Sequence, residues 1–180
     1  MKALITILFT VFISFFCYSQ DNLDIVWNSN NHQFRITLER NESSGLLNTR
    51  MRLYKGNQLL LSDSLLCCFL DIELDDINGD NYSDLRVYQC SGARANETYN
   101  LYLFQKSDGN FKKVSGFEEW PNLHPTKEKG ILVSRILTGM VEYRYFIIED
   151  SGELIDLNIS EEDYNLDGKE YTKGLRKAKK

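Results

Sequence analysis

Proline is scarce in this chain, since only Pro121 and Pro125 occur among its 180 residues. No stretch rich in proline, glycine or serine separates two blocks of sequence, so no domain boundary is indicated inside residues 21–168. Once a predicted export signal is set aside, about 160 residues remain, a length that suits one domain around one core.

Recognisable catalytic patterns are also missing. The two histidines, His32 and His124, lie in loop-like sequence without metal-ligand spacing. The chain has no Gly-x-Ser-x-Gly turn, no cysteine–histidine signature and no phosphate-binding glycine loop. Glu118 and Glu119 could do acid–base chemistry, but exposed paired glutamates are usually just solvated. We therefore predict a protein that is not an enzyme and has no catalytic residues.

Positive charge is in deficit, with 21 Lys and Arg against 26 Asp and Glu, a formal net charge of −5. Removal of a signal containing Lys2 changes this to −6, which disfavours nucleic acid as a partner. Basic residues collect near the C-terminus, and residues 161–180 lack strand character. We interpret this segment as a polar, flexible tail.

Long apolar runs are absent except at the N-terminus. Lys2 precedes an uncharged run over 3–16, and residues 17–19 offer small side chains at the −3 and −1 positions of a cleavage site after Ser19. The run is too short for a transmembrane helix, and no later segment could span a bilayer. Phe16, directly before a cysteine, argues against a lipoprotein signal. Residues 1–19 thus predict a cleaved signal and a periplasmic or secreted protein without membrane insertion.

Three cysteines remain after this cleavage, Cys67, Cys68 and Cys90. An odd number in an exported protein leaves at least one thiol unpaired. Adjacent residues of a strand point to opposite faces, so only one of Cys67 and Cys68 could face Cys90. A disulfide and three small buried apolar side chains are both open interpretations.

Short runs with β-type alternation, separated by turn signals, fill most of the chain. The runs lie at 34–38, 51–54, 58–61, 65–74, 85–88, 99–104, 111–114, 131–137, 141–148 and 154–159. About ten strands with tight turns predict an all-β fold, an antiparallel sandwich or barrel-like single domain over residues 20–160. Residues 117–129 are predicted to form a loop.

The strongest chemical signal is an oxygen-rich loop over residues 76–84. Calcium takes six to eight oxygen ligands, and oxygens at alternate loop positions converge when the backbone coils around the ion. The candidate ligands are the side chains of Asp76, Asn78, Asp80 and Asp84 and the carbonyl of Tyr82. A calcium-free acidic turn is the alternative, but carboxylates at this spacing would repel one another without a cation.

This loop differs from an EF-hand, because its flanks are β-type and Val87 stands where an EF-hand has its glutamate. Asn81 occupies the sixth position, which often has a positive φ, and asparagine tolerates that conformation better than other non-glycine residues. A second stretch, 163–168, begins in the same way. Tyr171 stands at its ninth position, so no carboxylate closes it, and we do not assign it an ion.

Small residues mark a second candidate site, the loop over 91–99 between two strong strands. Its candidate partner-binding residues are Ser91, Gly92, Ala93, Arg94 and Tyr99. A loop held rigidly by its strands can enter a partner's cleft with little loss of entropy. An ordinary flexible hairpin loop is the alternative.

The calcium loop, the Ser91-Gly92 pair with Tyr99, the 120–125 loop and the closing hairpins together resemble calcium-binding periplasmic proteins similar to type-i lysozyme inhibitors. Some members are immunity proteins against peptidoglycan hydrolases delivered by type IV secretion. The resemblance covers residues 65–158, and its calcium loop is shared with integrin-type FG-GAP modules. It implies a β-sandwich-like domain in which the 91–99 loop enters the active cleft of a lysozyme-like hydrolase.

Two hypotheses follow from these features. The first is an inhibitor or immunity protein that binds a glycan hydrolase. The second is a calcium-stabilised adhesion or binding module of the FG-GAP type with no enzyme target. Tandem copies of the calcium motif would favour the second hypothesis, and this chain has one good copy.

The signal prediction has a direct test. Material exported by a bacterial host should begin at or near Gln20, because cleavage after Ser19 fits the small-residue rule. N-terminal mass spectrometry reads this directly. An intact Met1, or a diacylglyceryl group on Cys17, would contradict the prediction.

Overall fold

The computed structural model describes residues 21–29, 32–41, 46–149 and 151–180, so the predicted signal lies outside the described residues. The described chain forms strands and one α-helix. They are β1 (Asn22–Ser29), β2 (His32–Arg40), β3 (Thr49–Lys55), β4 (Gln58–Leu65), β5 (Ile72–Asp75), β6 (Asp84–Gly92), β7 (Asn96–Gln105), β8 (Asn110–Lys113), β9 (Leu123–Pro125), β10 (Ile131–Leu137), β11 (Val141–Ile148), β12 (Leu154–Asp163) and α1 (Lys169–Ala178). A single 3-10 turn, Phe117–Glu119, precedes β9.

The strands form three four-stranded antiparallel sheets. The first has the order β1-β2-β3-β4, the second β5-β6-β7-β8 and the third β12-β11-β10-β9. The predicted all-β, sandwich-like class is confirmed, and within the described ranges no sheet closes into a barrel. Each sheet uses one continuous part of the chain, since tight hairpins such as the one at Gly56 connect successive strands.

The second sheet is the middle layer of the fold. Alternation along β7 sends Tyr102 and Phe104 into a core shared with the first sheet, where they meet Phe34 and other aliphatic and aromatic side chains. Leu101 and Leu103 point the other way, into a second core. The middle sheet is therefore buried on both faces along β7.

The second core joins the middle sheet to the third sheet. It contains Leu101 and Leu103 together with Leu132 and Phe146 of the third sheet. Phe117 also packs here, so the short 3-10 turn is part of this interface. Sheet-on-sheet packing of this kind requires side chains from both inner faces to interdigitate.

Helix α1 covers the outer face of the third sheet, so the prediction of a flexible tail over 161–180 is wrong. Leu175 is buried in a third core, and the Tyr145 hydroxyl donates to the carbonyl of Tyr171 at 2.6 Å. Gly174 allows the contact, since a Cβ there would lie 2.3 Å from the Tyr145 ring. A few apolar residues on one face suffice to dock a short, highly charged helix. No helix among the described residues has the length and apolar character needed to cross a membrane.

The strand predictions also need correction at four places. β1 and β9 were not predicted, and β9 lies inside the segment 117–129 that was predicted to be a loop. The run 65–74 is not one strand, because it breaks between β4 and β5. β12 continues to Asp163, beyond the predicted end of the β domain.

Cys68 lies in the break between β4 and β5 and forms a disulfide with Cys90 of β6. Cys67 points to the opposite side and is buried in the first core, where burial raises the pKa of its thiol. Asn48 holds this segment by donating to the Cys67 carbonyl and accepting from the Cys67 N–H, at 3.0 and 2.9 Å. The disulfide interpretation is thus the correct one, and Cys67 is the unpaired, buried thiol.

Docking of α1 predicts a specific loss of stability. Leu175→Ala should lower the free energy of unfolding by about 2–5 kcal/mol, because it removes buried methyl groups from the third core. Arg176→Ala, at an exposed neighbouring position, should change it by less than about 0.5 kcal/mol. Denaturant unfolding of both variants measures the difference. Equal stability of the two would show that the helix does not contribute to the core.

Candidate functional site

The oxygen-rich loop lies between β5 and β6 and is organised by its own side chains. The two carboxylate oxygens of Asp76 accept the N–H groups of Asp80 and Asn81 at 2.9 and 2.8 Å. Asn78 Oδ1 also accepts from Asp80 N–H at 3.0 Å, and Asp80 Oδ1 accepts from Tyr82 N–H at 2.9 Å. The side-chain oxygens are therefore turned toward the loop's backbone and not outward to solvent.

Two residues of this loop have left-handed backbone conformations. Asn81 has φ 68°, which confirms the expectation for the sixth position. Gly79, at the fourth position, has φ 74°, and a Cβ there would lie 2.9 Å from Lys129 Cγ. Glycine is favoured at this position, because its left-handed conformation costs glycine little and a Cβ would have to displace the Lys129 side chain.

Asp84 closes the loop and is fully buried. Its two carboxylate oxygens accept the N–H groups of Phe104 and Ile77, both at 2.9 Å, and so tie the loop to β7. Burial raises the pKa of Asp84 to about 7, although the N–H donors of Phe104 and Ile77 lower it, and the Asp80 carboxylate raises it further. A cation in the loop would favour the ionised form of Asp84.

The residues fit calcium in chemistry and less well in arrangement. Carboxylate, amide and peptide-carbonyl oxygens from residues 76–84 are the hard ligands that calcium takes. Nowhere in the described ranges, however, do three or more His, Cys, Asp or Glu side chains form a group that could hold a metal. Asp84 faces two backbone N–H groups, and Lys106 Nζ donates to the Asp80 carbonyl at 2.9 Å. Asp76, Asn78 and Asp80, with the carbonyl of Tyr82, remain the predicted ligands, whereas both oxygens of Asp84 accept backbone N–H groups.

The second stretch, 163–168, adopts the same local structure. Asp163 accepts from the N–H groups of Asp167 and Gly168 at 3.4 and 2.8 Å, the same spacing as in the first loop. Leu166 and Gly168 have φ 56° and 73°, at the fourth and sixth positions. Here Lys169 Nζ lies 2.6 Å from Asp167 Oδ2, so the ammonium of Lys169 pairs with the carboxylate of Asp167. The sequence indicated the shared spacing but not the shared left-handed fourth position.

The predicted partner-binding loop is shorter than expected. Ser91 and Gly92 are the last residues of β6, and Tyr99 lies well inside β7, so only residues 93–95 form the turn. Arg94 and Ala95 have φ 64° and 56°, an arrangement that costs energy for residues with a Cβ. Ser91 to Ala95, which we call the hairpin tip, are all exposed.

A polar network under the hairpin tip holds this conformation. Asn96 Nδ2 donates to the carbonyls of Ala93 and Leu137, both at 3.0 Å, and its Oδ1 accepts from Leu137 N–H at 2.9 Å. Asn122 adds a bond to the Arg135 carbonyl at 2.9 Å. This network could not be predicted from the sequence, because Asn96 and Leu137 are 41 residues apart along the chain.

Tyr99 lies in a charged cluster behind the hairpin tip. Its hydroxyl is 3.2 Å from both Glu73 Oε1 and Glu97 Oε2, and the Arg86 guanidinium lies 5.0 Å from its ring centre. Burial raises the pKa of Tyr99, and the charges of Glu73 and Glu97 raise it further. Sequence reasoning identified Tyr99 but not these three partners, which other strand positions contribute.

Comparison with known proteins adds no relative: no family profile, curated protein or solved structure matches this chain. The resemblance to lysozyme inhibitors, and the roles that it implies, remain predictions.

Calcium binding by the 76–84 loop can be measured as a change in stability. Saturation at a hundredfold excess over Kd should stabilise the wild-type protein by about 2.7 kcal/mol, through ligand linkage. Asp80→Ala should remove this response, whereas Asp75→Ala, which changes an exposed carboxylate just outside the loop, should keep it. Thermal melts with calcium and with EDTA provide the measurement, after exhaustive removal of bound metal. A wild-type melt that is indifferent to calcium would contradict the site.

Proposed function

We propose that this chain is an exported, calcium-binding protein without enzymatic activity that inhibits a lysozyme-like peptidoglycan hydrolase. The hairpin tip, Ser91 to Ala95, enters the hydrolase's active cleft, and the protein works in the periplasm or outside the cell. The observation that supports this proposal is the combination of full exposure and tight anchoring at the hairpin tip.

Anchoring matters because an ordered loop loses little entropy on docking. The Cys68–Cys90 disulfide fixes β6 at the residue directly before the hairpin tip. On the other side, Asn96 fixes the start of β7 to Leu137 of the neighbouring sheet. The hairpin tip is thus held from both strands before any partner arrives.

Small side chains at the hairpin tip favour close approach to a concave partner. Gly92 has only Asn96 atoms near the position of a Cβ, at 3.5 Å and beyond, so its surroundings are open. Ser91 offers a hydroxyl, and Arg94 offers a guanidinium that can pair with catalytic carboxylates. Tyr99 lies behind the tip and braces it through Glu73 and Glu97.

Calcium has a supporting role in this proposal. The 76–84 loop precedes β6, and Asp84 is the first residue of that strand. An ion held by Asp76, Asn78 and Asp80 would fix the far end of the strand that carries the tip. The ion would be structural and would not contact the hydrolase.

Inhibition assays test the proposal directly. The mature protein should inhibit at least one member of a panel of c-, g- and i-type lysozymes and secreted muramidases. The double variant Ser91→Trp and Gly92→Trp should weaken inhibition about thirtyfold or more, because blocking a central contact typically costs 2 kcal/mol or more. The open surroundings of both positions let the variant fold.

Ser107→Trp is the matched control, because it places the same bulky ring on the exposed β7–β8 turn. It should leave inhibition and the thermal melt unchanged. If no hydrolase is inhibited, or if the double variant inhibits as well as the parent, the inhibitor proposal fails. The calcium-stabilised adhesion module would then take its place.

A further inference from the structure

A groove on the middle sheet suggests a second binding activity, beyond the proposed inhibition. Side chains of β5, β6 and β7 lie on the face of the middle sheet that packs on the third sheet. Further along the strands this face is uncovered, and a cleft of about 320 Å³ opens between the middle sheet, β9 and β10. Its chemically active lining residues are Glu73, Arg86, Glu97, Tyr99, His124 and Arg135. We call this space the polar cleft.

An aromatic row continues the polar cleft along the sheet surface. Phe69 and Tyr88 have ring centres 6.3 Å apart, and Tyr88 and Tyr99 are 5.5 Å apart. Phe69 is 70% exposed, although it is a large apolar ring. Glu73, Glu97 and Tyr99 border both the row and the cleft, so the two form one groove.

The aromatic row is held in place before any ligand binds. Phe69 follows Cys68, whose disulfide to Cys90 ties this segment to β6. Tyr88 N–H donates to the Asp71 carbonyl at 3.0 Å, which adds a second tie. An exposed ring that is fixed by its backbone offers a flat apolar surface at little cost in entropy.

Charges in the polar cleft balance. Glu73 and Glu97 are matched by Arg86 and Arg135, and burial lowers the pKa of His124, so its imidazole is neutral at neutral pH. The charges of Arg135 and Arg86 lower this pKa further. Part of the hydrogen-bonding capacity is already used, because the Arg86 guanidinium pairs with the Glu73 carboxylate, while its Nε is buried without a hydrogen-bond partner among the described residues.

These properties select among ligand classes. An anionic ligand would meet the two glutamates, and a cationic ligand would meet the two arginines. A purely apolar ligand would leave these charged groups without water or partners, which is costly. A neutral polyhydroxylated ring avoids each problem, because its hydroxyls donate to carboxylates and accept from guanidinium groups. Its C–H face can also lie flat on an aromatic side chain.

We propose that this groove binds a neutral oligosaccharide. One sugar ring occupies the polar cleft, with its hydroxyls on Glu73, Glu97 and the Arg86 guanidinium. The following ring lies on Tyr88 and Phe69. The cleft volume falls in the range of ordinary ligand pockets.

NMR titration of the isotope-labelled mature protein provides the test, with no hydrolase present. The probes are the soluble tetrasaccharides of chitin, cellulose and starch, each added to millimolar concentration. At least one should give saturable shifts at the backbone amides of 72–75, 86–88, 97–99 and 123–124. Saturable shifts confined to the hairpin tip, or no saturable shifts with any of the three, would overturn the proposal.

Two variants, each with a matched control, test which side chains contribute to oligosaccharide affinity. Phe69→Ala and Glu97→Gln should each weaken binding about tenfold or more. Tyr164→Ala and Glu162→Gln are the controls, since Tyr164 is 71% exposed on a different surface and contacts Glu162. The controls should bind like the wild type. Equal affinity of the Phe69 and Glu97 variants with their controls would overturn the proposal.

The two proposals fail separately. The Ser91→Trp and Gly92→Trp variant should keep its oligosaccharide affinity, because neither residue lines the groove. A tetralysine peptide that saturates the same amides, while the tetrasaccharides do not, would replace the oligosaccharide with a cationic protein segment as the occupant. That result would overturn this proposal and leave the inhibition assay to be judged on its own.

Discussion

Burial of β7 on both faces is the constraint on which the rest of this structure depends. Tyr102 and Phe104 pack against the first sheet, and Leu101 and Leu103 pack against the third sheet. A strand that must be apolar on both sides gives up the alternation by which one face normally stays in water. Toward its start the same strand carries Glu97 and Tyr99, which are only partly buried. The groove therefore lies at the partly covered end of a strand whose other end is core, and the hairpin tip directly precedes that end.

Asp84 connects this core to the oxygen-rich loop. It is a fully buried carboxylate whose two oxygens take N–H groups from the loop and from β7. Removal of one partner from such an arrangement leaves buried donors unsatisfied, which costs more than the hydrogen bonds themselves contribute. The loop between β5 and β6 is consequently fastened to the middle sheet, whichever of its other oxygens meet an ion.

Much of the fold was predictable because alternation and turn residues are local signals. The hairpins through Gly56, Gly109 and Gly139 follow from such signals. β1 escaped prediction although it alternates, and the short β9 has too few residues to show a pattern. Helix α1 was missed because a few buried side chains on a charged helix resemble a solvated tail in sequence.

The candidate sites also differ in whether their residues lie close together in sequence. The oxygen-rich loop could be identified because all its candidate ligands lie within nine residues of chain. The network of Asn96 and Asn122, and the cluster of Glu73, Arg86 and His124, could not be identified, because only the folded sheets bring these residues together. Which of the two cysteines pairs with Cys90 depends on which face the segment presents, and that too is decided by the break between β4 and β5.

Each of the three sheets is built from one uninterrupted part of the chain, and the sheets are stacked in the order in which they occur in sequence. Strand pairing is therefore local, and only the packing between layers joins distant parts of the sequence. Hairpin pairing of this kind closes short stretches of chain, so each pair of strands pays little loop-closure entropy before its contacts form. The first sheet can form while later residues are still being synthesised, and each completed sheet then offers an apolar face on which the next can assemble. Helix α1, which follows the third sheet in sequence, covers the outer face of that sheet, which no further sheet among the described residues buries.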